Sequence, residues 1–119
     1  VVATIKFPEG TTYRQQYTLY DETGQVIDLT GAELEFAAFT PSQSRTGVVA
    51  PFLSKQIGSG VSVNDPATDG ALIITFNPAD TVDKAGVYEW ELELREINGD
   101  VWQAGSGVLV VQPGRRLDA

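Results

Sequence analysis

The chain has 119 residues, 42% of them hydrophobic and 20% charged, which suits one domain with its own core and excludes wholesale disorder. It contains no cysteine and no histidine, so disulfides, thiolate sites, the commonest zinc ligand and the commonest general base are all missing. Sixteen acidic against eight basic residues give a net charge of -8, a balance that repels both nucleic acid and anionic membranes.

No apolar run approaches the length of a membrane span, and Val1 to Pro8 lacks the basic and apolar regions of a signal peptide. The two ends carry no firm element, and the first expected strand covers roughly Thr11 to Tyr20, with Tyr13, Tyr17 and Leu19 on one face. Asp21 to Gly24 is a turn. Gln25 to Leu29 reads as a short return strand that feeds a corner at Asp28-Leu29-Thr30-Gly31. Ala32 to Thr40 alternates, placing Leu34, Phe36 and Ala38 opposite Glu33 and Glu35, and Pro41 to Gly47 is a polar loop that contains Arg45.

Phe52 to Ile57, Val61 to Val63 and the nearly continuous apolar run Ala71 to Phe76 are the next strands, separated by Gly58-Ser59-Gly60 and by the turn-rich Asn64 to Gly70. One helical turn is expected at Pro78 to Val82. From Val87 to Arg95 the alternation is strict, with Tyr88, Trp90, Leu92 and Leu94 on one face and Glu89, Glu91, Glu93 and Arg95 on the other. Asn98-Gly99 predicts a two-residue type I′ hairpin. Its register sets Gly107 opposite Trp90, Gly105 opposite Leu92, Leu109 opposite Tyr88 and Arg95 opposite Trp102, the last a cation–π pair unless a bulge intervenes.

These segments predict an all-β domain over residues 1–111, an immunoglobulin-like sandwich of two antiparallel sheets with seven or eight strands. A small closed barrel is the architectural alternative. Residues 112–119 read as a C-terminal tail or connector.

Little in the chain suggests catalysis, and no catalytic residue, cofactor or metal site is expected. Glu89, Glu91 and Glu93, with Glu33 and Glu35, are the best carboxylate cluster, but a solvated sheet face needs the same residues. Asp65 and Asp69 lie in a loop without the spacing of a calcium hand, and Gly58-Ser59-Gly60 has no lysine or helix start after it to make a phosphate cradle. Trp90 belongs to the core by periodicity. Phe39 and Trp102 fall on the face opposite the core residues and are candidate interface residues, together with Arg45, Arg95, Arg115 and Arg116. The two terminal arginines could anchor the tail on an acidic neighbour, another copy of this domain included.

Four stretches carry a resemblance. The run Tyr17 to Ala32, with Asp28-Leu29-Thr30-Gly31-Ala32 its more specific part, is followed by Gly70 to Ile74, by Ala85-Gly86-Val87-Tyr88-Glu89-Trp90-Glu91-Leu92, and by Gly105 to Val111. Together they resemble the immunoglobulin-like domain of tailed-bacteriophage virion proteins, above all the N-terminal domain of baseplate upper proteins and tail-fibre adaptor modules. The resemblance implies a non-enzymatic virion protein, assembled in the host cytoplasm. Its partners would be other virion proteins, in many copies of a symmetric assembly. A capsid decoration protein and a carbohydrate-binding module for host glycans are the alternatives.

Overall fold

In the computed structural model, which describes residues 2–40 and 51–114, the period-two segments form strands with one wet and one dry face. They are β1 (Val2–Pro8), β2 (Tyr13–Thr18), β3 (Glu33–Phe39), β4 (Leu53–Ile57), β5 (Gly60–Val63), β6 (Ala71–Phe76), β7 (Gly86–Arg95) and β8 (Val101–Gln112). A single helical turn, α1 (Pro78–Thr81), follows β6 and starts with a capping box between Asn77 and Asp80. The all-β class holds.

Hydrogen bonds join the strands in one mixed sheet of order β1-β8-β7-β3-β4-β5-β6-β2, curled until it nearly closes into a barrel. The expected division into two antiparallel sheets does not describe this bonding: β1 is parallel to β8 and β4 is parallel to β5. Alternation fixes which face of a strand is dry, but it carries no information about the direction of the neighbour. The β4–β5 joint is narrow, with Gln56 opposite Gly60 and Ile57 opposite Val61.

β1 is a second correction. The segment expected to be loose supplies Ile5 and Phe7 to the core and pairs with the last strand from Val2 opposite Ser106 to Pro8 opposite Gln112. The expected return strand at Gln25 to Leu29 reduces to one bridge between Tyr20 and Val26.

Aromatic rings meet across the interior. Phe36 of β3 stands edge-on to Phe76 of β6 at 5.5 Å, and Trp90 of β7 stacks on Tyr17 of β2 at 5.9 Å. Phe7 and Tyr13 stack at 4.8 Å, so the two edge strands touch through side chains where no backbone bonds join them. Lys55 faces inward opposite Phe36, and its ammonium donates to Asp80 of α1 at 2.6 Å. A Cβ at Gly60 would collide with the Lys55 stem. Near the start of β7, the Tyr88 hydroxyl donates to the Lys84 carbonyl at 2.8 Å while its ring stacks on Phe52.

The β7–β8 hairpin follows the expected register over its far half, with Tyr88 opposite Leu109, Trp90 opposite Gly107 and Leu92 opposite Gly105. Gly107 makes room for a specific bond. The Trp90 Nε1–H donates to the Ala3 carbonyl at 3.1 Å, and a Cβ at Gly107 would occupy the position of that oxygen. Near the turn the register differs by one residue. A type I′ turn needs positive φ at both Asn98 and Gly99, but only Gly99 has it. The Glu96 amide instead donates to the Asp100 carbonyl around a three-residue loop, and a bulge after Leu92 restores the register. Arg95 therefore faces Val101, and Trp102 faces Leu94.

Candidate functional site

That one-residue difference moves Trp102 to the other side of the sheet. Directly opposed residues of an antiparallel pair share a face, and Leu94 is fully buried, so Trp102 lies on the inward side at the end of the barrel. It is nonetheless 52% exposed, because the barrel wall is open there. β1 covers β8 only from Ser106 to Gln112, so among the described residues the Val101–Gly105 stretch has a strand on its β7 side alone.

The opening is a cleft of about 700 Å³ between this stretch and the segment that leaves β2. Its apolar walls are Leu19, Val26, Ile27 and Leu94, and Tyr20 and Trp102 offer aromatic surface. Tyr20 is 61% exposed. The acidic residues Asp21, Glu22, Asp28 and Glu96 line the same opening.

Local bonds hold the rim in place. The Asp21 carboxylate accepts from the Thr23 hydroxyl at 2.6 Å and from the Thr23 and Gln25 amides, and Asp28 repeats the arrangement on the Thr30 hydroxyl and amide. Hydroxyl donation first, and amide donation second, keep both carboxyls below the usual aspartate range. The segment behind them is pinned by backbone bonds from Leu19 to Gly70, from Ile27 to Leu19 and from Leu29 to Ala67. Gly70 is left-handed there, and a Cβ would press on the Leu19 and Ile27 backbone.

The chain matches no protein-family model and no curated relative.

Of the interface candidates among the described residues, only Trp102 lines this cleft. Arg95 is opposite Glu33 on the outer face and lines a groove of about 440 Å³ with Glu35, Gln56, Ile57 and Glu93. Phe39, half-buried, pairs with Glu89 on that outer face, toward the opposite end of the strands. Arg45, Arg115 and Arg116 lie outside the described residues. Tyr20, Asp21, Asp28 and Glu96 were missed. An aromatic residue next to a turn was the available signal at Tyr20, although its partner across the cleft is distant in sequence.

Among the described residues no three carboxylates gather closely enough to hold a metal ion. What the cleft offers is aromatic faces for stacking, an apolar floor and acceptor-only groups at the rim. Such a surface fits a cationic or amphipathic polypeptide segment, whose guanidinium groups stack on Trp and Tyr and bond carboxylates.

Proposed function

We propose that the chain is a non-enzymatic structural module of a tailed-bacteriophage virion, placed in the tail, baseplate or fibre-attachment apparatus and acting through protein contacts. The observation that carries the docking role is the open barrel end, where Trp102 and Tyr20 are exposed inside an acidic rim. The virion setting and the many symmetric copies rest on the sequence likeness. Cryo-electron microscopy of the purified particle tests both. Copies of this fold in the tail, with the cleft covered by protein, are expected; copies on the head surface would make it a decoration protein, and a particle without the chain overturns the virion reading.

An immunoglobulin-like fold belongs to the same proposal. Setting aside the two-pair β4–β5 joint leaves β2-β6-β5 and β8-β7-β3-β4, the B-E-D and G-F-C-C′ orders of that fold, with β1 beside β8. The Tyr88 bond to Lys84 supports it as a tyrosine corner, and Trp90 stands two residues later, where disulfide-linked members have cysteine. The cleft then lies at the end that carries the B–C and F–G loops. An experimental structure with β4 and β5 continuously bonded would favour the barrel description.

A carbohydrate-binding role is the second reading, favoured by the exposure of Trp102 and Tyr20. A glycan array decides it: retention of a sugar by the chain and its loss in Trp102→Ala support this reading, and a blank array removes it.

A further inference from the structure

We propose that the cleft receives the Arg115-Arg116-Leu117 segment of a second copy of this chain, joining copies head to tail. The inference rests on the docking role of the cleft and names its occupant. The cleft lies where β7 ends and β8 begins, whereas the C-terminal segment follows Gln112 at the other end of β8. A twelve-residue strand spans roughly 40 Å, so Gly114, the last described residue, lies at the opposite end of the molecule from the cleft. A copy cannot fill its own cleft from there, but its neighbour can.

Charge and shape select this occupant. Net charge is -8, so most of the surface repels a second copy, yet residues 115–117 place two guanidinium groups beside a leucine. The cleft answers each of them: Asp21, Glu22, Asp28 and Glu96 at the rim, the faces of Tyr20 and Trp102 for stacking, and apolar floor for the leucine. Asp21 and Asp28 are held by threonine hydroxyls and backbone amides, which leaves their free lone pairs in fixed directions. The contact joins unlike surfaces, so used in one direction it builds rings or filaments, and exchanged reciprocally it closes an antiparallel dimer.

The test uses the full chain. Sedimentation over a concentration series at low salt should show association that weakens with added salt. Arg115→Glu with Arg116→Glu, both beyond the last strand, should weaken it at least tenfold, and Trp102→Ala should do the same. Adding Glu22→Lys and Glu96→Lys to the arginine reversals should restore it. A synthetic peptide of residues 112–119, which has no tryptophan, should alter Trp102 emission and compete with the association. A chain that stays monomeric at every concentration, or association indifferent to the arginine reversals, overturns the proposal. If the peptide fails while virion maps show another protein in the cleft, the tail is excluded as occupant and the docking role stands.

Discussion

Two tyrosines of the core illustrate how far the fate of one hydroxyl decides the worth of a side chain. Tyr17 stacks on Trp90, yet its buried hydroxyl has no hydrogen-bond partner among the described residues, and burial raises its pKa. Removing a buried, unsatisfied group relieves a desolvation penalty, so Tyr17→Phe should be neutral or stabilise by up to about 1 kcal/mol. Tyr88 donates to Lys84 across a corner, and Tyr88→Phe should destabilise by about 1 kcal/mol. Paired urea melts check both, and equal losses in the two variants would contradict the assignment of the bonds. Asp21 and Asp28 act through pH. Folding lowers their pKa values, so the stability they contribute is complete above the unfolded-state value and disappears as the pH falls through the folded ones. Protection factors of the Thr23, Gln25 and Thr30 amides, taken relative to the intrinsic exchange rate at each pH, should therefore fall on acidification before those of the strands do.

At the scale of elements, α1 is tied to the sheet by Lys55 and Asp80, and Asp80 also accepts from the Asn77 amide at 2.7 Å. Lys55 is 7% exposed, so Asp80→Ala strands a cation in the core and should cost about 3 kcal/mol, measurable by denaturant titration. Lys55→Met in that background should recover most of the loss, because the unpaired charge is then gone. The elements also show what a sequence can and cannot tell. β3, β6 and β7 were legible because strict alternation or an apolar run between breakers has one strand reading. β1 alternates too, through Ala3, Ile5 and Phe7, but its seven residues gave no second signal to support it. Its partner lies about a hundred positions away, and no local pattern encodes a parallel pairing over that distance. Trp102 was placed on the wrong face for a smaller reason: Asn98-Gly99 favours a two-residue loop by propensity, and the chain instead uses three residues and a bulge. One residue of slip inverts every side chain up to that bulge.

For the whole molecule, the pairing of the first strand with the last controls closure. Phe7 is buried against Tyr13 and Phe76, so Phe7→Ala should destabilise by about 3–5 kcal/mol, a large part of the stability of a domain this size. The kinetics separate two accounts of how the wall is built. Docking β1 on β8 closes a loop through nearly the entire chain, whereas β7 on β8 needs only a hairpin, and the entropy of closure favours the hairpin first. If β1 docks after the transition state, Phe7→Ala accelerates unfolding and leaves the folding limb of the chevron almost unchanged, while Leu92→Ala, in the hairpin core, slows folding. A folding limb slowed by Phe7→Ala would place β1 in the nucleus and reverse the order. In the first case the seam beside β8 is the last part of the barrel to form and the first to open. A cleft at the end of that seam then leaves Trp90 and Leu109 enclosed, because they lie where β1 covers β8 from Ser106 onward and where Trp90 meets Tyr17 of β2.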